Sequence, residues 1–246
     1  MPIENDGDLA AKLAVEAGKI LLQVRASGVF GGKALGKAGD QTANQFLVHA
    51  LREQRPEDGL LSEEEKDNAE RLAKERVWIV DPVDGTREYG EERQDWAVHV
   101  AMAVNGEPVL GAVALPGCDE VLRSDQPGEV PPAPQTLRMV VSRTRPAREA
   151  TEVATKLGAE LVPMGSAGAK AMAILRGEAD IYLHSGGQYE WDSCAPVAVA
   201  LGWGLHCSRI DGSPLVYNQQ DVYMPDLLIC RKEHAELVLA EVAALG

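Results

Sequence analysis

Four consecutive apolar residues, Val77-Trp78-Ile79-Val80, run straight into Asp81-Pro82-Val83-Asp84-Gly85-Thr86. A short apolar run stopped by Asp-Pro predicts a buried strand, and the residues after it a tight turn bearing two carboxylates. Gly85 and Thr86 are small enough for backbone donors in that turn to approach a phosphate. Hard magnesium ions take oxygen ligands and complete a near-octahedral shell with waters and phosphate oxygens, so the turn reads as a cation site.

The acids around it extend the argument. Leu60-Leu61-Ser62 reads as a short strand that delivers Glu63, whose carboxylate can approach the same turn. Two or three ions a few ångströms apart would divide the work: one lowers the pKa of an attacking water, another stabilises a leaving oxygen, and all neutralise a phosphoryl group. Taken singly these residues have plainer readings. A Glu run such as Glu63-Glu64-Glu65 is an ordinary surface feature, and Asp192 in Glu190-Trp191-Asp192 is placed to cap a helix from Ser193 onward.

Apolar residues at Leu9, Leu13, Ala17, Ile20 and Leu21 predict a helix over 9–24 with one buried face. Glycines 28, 31, 32, 36 and 39 break the pattern, and a second helix is expected from Thr42 to about Gln54, with Asp40 at its N-terminal edge and Pro56 marking its end. Residues 95–104 and 108–115 read as strands joined by an Asn105-Gly106 hairpin turn, giving this half helices with a largely antiparallel sheet. Residues 125–135 contain four prolines and form the best linker candidate. Beyond it, strands at 137–141, 181–183 and 227–230 and helices at 147–157, 169–176, 195–201 and 233–245 predict a smaller α/β unit.

Formal net charge is −14, with 38 acidic against 24 basic residues, a field that repels polyanions and steers cations inward. Together with an aromatic content of only 4%, this argues against a nucleic-acid module. Cysteines 118, 194, 207 and 230 lack zinc-site spacing and read as reduced thiols of a cytoplasmic protein. The start Met-Pro-Ile-Glu-Asn-Asp has neither the basic segment nor the apolar stretch of a signal peptide or anchor.

Glu63-Glu64, Trp78 through Thr86, Gly165-Ser166-Ala167 and Trp191-Asp192 together resemble the motifs of the inositol monophosphatase superfamily. The resemblance implies a layered α-β-α-β-α sandwich in two domains. Residues 1–134 would form an α+β domain with most metal ligands, and residues 135–246 an α/β domain with Asp192 and substrate-binding residues. It implies that Glu63, Asp81, the Val83 carbonyl, Asp84 and Asp192 ligate two or three Mg2+ ions, with Mn2+ as a replacement and lithium as an inhibitor. The superfamily activates water with a carboxylate–threonine pair. Here that pair is Asp40 and Thr86, with Glu63 helping to hold the water; Asn44 is the rival position, but an amide cannot accept a proton as a carboxylate does. Many relatives carry a threonine shortly before this aspartate, whereas this chain has Gly36-Lys37-Ala38-Gly39-Asp40. A homodimer is a further expectation.

Within the superfamily the chain is more similar to the 3'(2'),5'-bisphosphate nucleotidase branch of sulfate assimilation. Ser142-Arg143-Thr144-Arg145 resembles that branch's Ser-Arg-Ser motif, and Gly165-Ser166-Ala167-Gly168-Ala169-Lys170 keeps a lysine one helical turn beyond Ser166. Arg143 and Arg145 could fork onto a non-reacting phosphate and Lys170 add a point charge; the plainer reading is that they balance an acidic surface or, for Lys170, point to solvent. Ser166 is placed either to touch substrate or to cap a helix. The expected substrate contacts are therefore Gly85, Thr86, Ser142, Arg143, Arg145, Gly165, Ser166, Lys170 and Asp192. The implied reaction is removal of the 3'-phosphate of adenosine 3',5'-bisphosphate, or of its phosphosulfate analogue. Inositol monophosphate and fructose 1,6-bisphosphate are the alternative substrates, and a metal-dependent nucleotide-binding regulator is the non-enzymatic alternative.

Overall fold

A computed structural model describes residues 5–245; the first four residues, at which the reading of the N-terminus began, and residue 246 lie outside it. Helix α1 (Asp6–Ala26) starts where the Asn5 side chain accepts from the amides of Gly7 and Asp8 at 2.7 and 3.2 Å. Acids in its first turn and Arg25 in its last suit the helix dipole.

Helix α2 spans Gly32–Gln54, so it begins about ten residues before the expected start at Thr42, and Asp40 lies inside it rather than at its edge. Glycine is unfavourable in a helix interior, but here it permits a close approach. A Cβ on Gly36 would lie 2.8 Å from the Thr86 methyl and one on Gly39 would lie 2.5 Å from the Tyr89 ring. These glycines seat α2 against the short helix α3 (Thr86–Gly90) and bring Asp40 to Thr86.

The first sheet has the order β1-β2-β3-β4-β5, formed by β1 (Gly59–Ser62), β2 (Arg76–Asp84), β3 (Ala97–Val104), β4 (Glu107–Leu115) and β5 (Glu120–Arg123). Strand β1 pairs parallel with β2 and the other neighbours are antiparallel. Asn105 and Gly106 take positive φ at the hairpin, as expected of that pair. Strand β2 continues to Asp84 because its register with β3 shifts between Asp81 and Asp84, an irregularity that accommodates Pro82.

Residues 124–137 carry no regular element. The second sheet has the order β7-β6-β8-β10-β9. Its strands are β6 (Arg138–Ser142), β7 (Glu160–Met164), β8 (Ile181–Tyr189), β9 (His206–Ser208) and β10 (Tyr223–Cys230). Helices α1 and α2 cover the outer face of the first sheet, where Leu9, Leu21, Leu47 and Trp78 share one core. Helices α5 (Ala167–Leu175) and α6 (Glu190–Gly202) fill the space between the sheets, around Ile79, Met172 and Leu227. Helices α4 (Arg148–Leu157) and α7 (Lys232–Ala243) close the far face of the second sheet. The layers are therefore α-β-α-β-α. Among the described residues no helix is long and apolar enough to cross a membrane, and all four cysteines are free.

Candidate active site and metal centre

Oxygens of Asp81, Asp84 and Asp192 lie within 4.8 Å of one another. The first two come from the irregular end of β2 and the third from the first turn of α6, so both halves of the chain deliver carboxylates to one point. Asp81 and Asp84 are buried and Asp192 partly so. Burial first, and then the charges of Glu63, Asp84, Asp192 and Asp40, hold the Asp81 carboxyl well above its ordinary range. Burial and the Asp84 charge raise Asp192 to about 6. Glu63 follows β1 with its side chain open to solvent at the rim. Crowding by protein atoms, followed by the charges of Asp192 and Asp40, raises it to about 8.

Asp84 differs from its neighbours. Burial alone would raise its pKa, but the His99 charge and hydrogen bonds from Ser166 and the Gly168 amide overcome this and bring it to about 2. Its Oδ2 accepts from Ser166 Oγ at 2.5 Å and from Gly168 N at 2.6 Å, and its Oδ1 from Ala167 N at 3.1 Å. The carboxylate thus caps α5 across the junction between the sheets. The buried His99 ring, opposite Asp81 in the β2–β3 register, sits with Nε2 3.2 Å from Asp84 Oδ2, an ionic contact outside hydrogen-bond geometry. Its Nδ1 lies 3.0 Å from the Trp191 carbonyl. His99 therefore links the residue before Asp192 to Asp84. It falls inside the 95–104 segment that reads as a strand, and no local signal distinguishes it.

These oxygens suit a divalent cation. The donor set is wholly carboxylate, and the crowded acids resist ionisation when only one another's charge is nearby. Ser166→Ala tests how strongly the surroundings tune the set. Loss of a hydrogen bond to a carboxylate of this set should raise the half-saturating concentration of a divalent cation about 10–100-fold. Calorimetric titration with Mg2+ reads this directly, and an unchanged affinity would place Ser166 outside the cation's support.

Gly85 links the acids to α3 in a left-handed conformation, φ 87°, which an L side chain rarely adopts. The Thr86 hydroxyl lies 3.0 Å from both Asp40 Oδ2 and the Val83 carbonyl. Asp40 Oδ1 is buried without a hydrogen-bond partner. Burial, together with the charge of Glu64, raises Asp40 to about 7 despite the Thr86 hydrogen bond. Asn44 is committed elsewhere, accepting from Ser62 Oγ at 2.7 Å. A cleft of about 880 Å³ opens over Asp40 and Thr86, lined also by Lys33, Lys37 and Arg87.

The basic residues divide into two groups. Arg143 is held by Glu88 at 2.7 Å and Glu91 at 2.5 Å, tying the second half to α3. Glu88, which the sequence reading did not single out, also packs against Gly165, where a Cβ would meet its side chain at 2.3 Å. The Gly165 amide donates to Asp95 at 2.7 Å. Lys170 is buried, with Nζ 2.6 Å from the Ser166 carbonyl and 5.3 Å from the Tyr182 ring centroid. The side chain expected at the substrate or in solvent instead braces the turn that holds Asp84. Arg145 is exposed; its amide donates to Ser142 Oγ at 3.2 Å, and among the described residues its guanidinium has no carboxylate partner. Its charge and that of Lys170 reach His184, whose pKa is lowered chiefly by burial and then by these cations, against a backbone hydrogen bond.

The inositol monophosphatase family profile matches residues 8–246. The chain is similar to the 3'-phosphoadenosine 5'-phosphate phosphatase of Mycobacterium bovis, with 51% identity over 239 residues, covering 93% of this chain and 90% of the relative. It is 48% identical over 252 residues to the Mycobacterium leprae protein of the same description, covering 96% and 93%. Among solved structures, CysQ from Bacteroides thetaiotaomicron, a bacterial member of the inositol monophosphatase family, superposes with a TM-score of 0.81 at 24% identity. That match covers 92% of this chain and 97% of the other.

Proposed function

The chain belongs to the inositol monophosphatase family, and from that premise we propose that it hydrolyses adenosine 3',5'-bisphosphate to AMP and inorganic phosphate. The observation that carries this reading is the convergence of Asp81, Asp84 and Asp192 in a chain half identical to a phosphatase described for that compound. The same site would accept the phosphosulfate analogue. Free cysteines are compatible with the cytoplasm, and the family resemblance supports a homodimer.

Asp81, Asp84 and Asp192 hold the cation, magnesium by preference and manganese as its substitute, with Glu63 and the Val83 carbonyl supplying further oxygens for two or three ions. A bound divalent cation supplies Lewis acidity to the phosphoryl oxygens and acidifies water. Thr86 orients the attacking water, and Asp40 Oδ1, buried and unpartnered, takes its proton. The water oxygen bonds to phosphorus as the bond to the 3'-oxygen breaks, and the departing oxygen takes a proton from solvent. Gly85 and Thr86 hold the transferred phosphate, and the exposed Arg145 receives the second phosphate. Ser142 fixes the Arg145 loop through its 3.2 Å hydrogen bond, while Arg143, Gly165, Ser166 and Lys170 keep the surrounding turns in place.

Initial rates of phosphate release test the reading. Adenosine 3',5'-bisphosphate should exceed inositol 1-phosphate and fructose 1,6-bisphosphate in kcat/KM by at least about tenfold, equivalent to about 1.4 kcal/mol of transition-state discrimination. The activity should require magnesium and vanish with chelator. Preference for inositol phosphate would overturn the substrate assignment, and phosphate release from none would overturn the enzymatic reading.

A further inference from the structure

Three aromatic rings gather beside Asp192 in a chain that has only four Trp, five Tyr and two Phe. Tyr189 stacks on Trp191 with ring centroids 4.9 Å apart and planes 14° from parallel. Tyr223 stands edge-on to Tyr189 at 6.1 Å and 77°. Tyr189 and Tyr223 are direct partners in the β8–β10 register, so the contact is a cross-strand pair on one side of the sheet. Trp191 packs against the central core, yet each tyrosine keeps 47% of its surface exposed.

The seat of this shelf is specific. Gly187 has φ 92°, and a Cβ there would lie 2.2 Å from the Tyr223 hydroxyl oxygen and 2.4 Å from its ring. The glycine thus leaves room for Tyr223 to lie over β8. The shelf is also continuous with the acidic site, because the Tyr189 amide donates to Asp192 Oδ2 at 2.6 Å. A single ribose separates the 3'-phosphorus of a nucleotide from its base. A phosphorus held at the acids therefore puts the base within reach of the residues that border Asp192, and the two tyrosines there are half exposed.

Resting on the nucleotidase reading, we propose that Tyr189 and Tyr223, backed by Trp191, form the base-recognition surface and take the purine of the substrate by stacking. The surface reads the presence of a planar base rather than its edge, since among the described residues no cation lies over these rings and stacking tolerates any base with a π face. It selects nucleotides over sugar and polyol phosphates that would satisfy the same acids.

The test is calorimetric titration of the magnesium-loaded protein with AMP and, separately, with inorganic phosphate, alongside kinetics on adenosine 3',5'-bisphosphate. Tyr189→Ala and Tyr223→Ala should each weaken AMP binding about 5- to 150-fold, the range that loss of base–aromatic stacking spans. They should weaken phosphate binding by a far smaller factor and raise KM more than they lower kcat. Tyr189→Phe, which keeps the ring, should restore AMP affinity. Unchanged AMP affinity in both alanine variants would overturn the proposal, as would equal losses for AMP and phosphate, which would mean that the rings merely support Asp192. If the unmodified protein hydrolyses adenosine 3',5'-bisphosphate while the alanine variants bind AMP normally, the shelf fails and the nucleotidase reading stands. If it binds AMP through Tyr189 without hydrolysing the bisphosphate, the reading fails and the shelf stands.

Discussion

Asp84→Asn should lower cation-dependent phosphate release by on the order of 10³-fold, the upper end of the loss when a preorganised electrostatic contact to a transition state is removed. Asp84 is the acid of the site that stays ionised, brought to about 2 while its neighbours are raised. Its charge is therefore the fixed point for a cation. Asparagine keeps the shape but not the charge. It also presents one acceptor where the carboxylate received Ser166 Oγ, two amides and the contact with His99, so one end of its amide opposes donors with donors. Losing part of a helix cap costs about 1 kcal/mol, so the variant should still fold. Circular dichroism checks the fold, magnesium titration the affinity and initial rates the turnover. A folded variant with ordinary magnesium dependence and activity would remove Asp84 from the catalytic site.

Chelated protein should become less stable as pH rises from about 5 to above 8, and magnesium should abolish that trend. The sign follows from proton linkage. Asp192, Asp40 and Glu63 are raised to about 6, 7 and 8, from ordinary values of 3.8 for Asp and 4.5 for Glu. Between those limits the folded chain binds more protons than the unfolded chain. The associated stability is fully present below the ordinary values and is lost as pH climbs through the raised ones. Each unit of pKa shift corresponds to about 1.4 kcal/mol; with Glu63 discounted for its exposure to solvent, the total is on the order of a few kcal/mol, or roughly 5–10 °C in Tm for a chain of this size. A cation removes the trend because it binds the deprotonated acids and displaces the protons that the folded chain would otherwise hold. Thermal unfolding at pH 5.5, 7 and 8.5 in chelator and in magnesium separates the two cases. A Tm in chelator that is flat or rises with pH would contradict the linkage.

The strand from Val77 to Val80, the acids that end it and the Asn105-Gly106 hairpin were legible because each signal is local: an apolar run, a turn pair, a proline. The start of α2 was not, since Gly36 and Gly39 look like helix breakers until Thr86 and Tyr89 are seen against them. Strand β7 also escaped the reading. It lies at a sheet edge, contains Pro163 and has no buried residue to produce an alternating pattern. At the site, Asp81 and Asp84 announced themselves by spacing, whereas His99 sits inside a segment that reads as a strand and Glu88 has no signal of its own. Their importance comes from partners distant in the chain, Asp84 and Trp191 for one and Arg143 for the other. Arg143 and Arg145 looked equivalent in sequence. Only the placement of Glu88 and Glu91 separates a strut from an open cation.

The middle helical layer has a bearing on how the molecule comes into being on the ribosome. The first sheet leaves the exit tunnel with α1 and α2 ready for one face, but the covering of its other face, α5 and α6, is translated last but for two strands and a helix. A nascent chain that stops after β5 would expose the side of its sheet bearing Ile79, Ala101 and Val113. The helix that hides this side also brings Asp192. Concealment of the sticky sheet and completion of the cation cage therefore happen together, and a truncated product is left with neither.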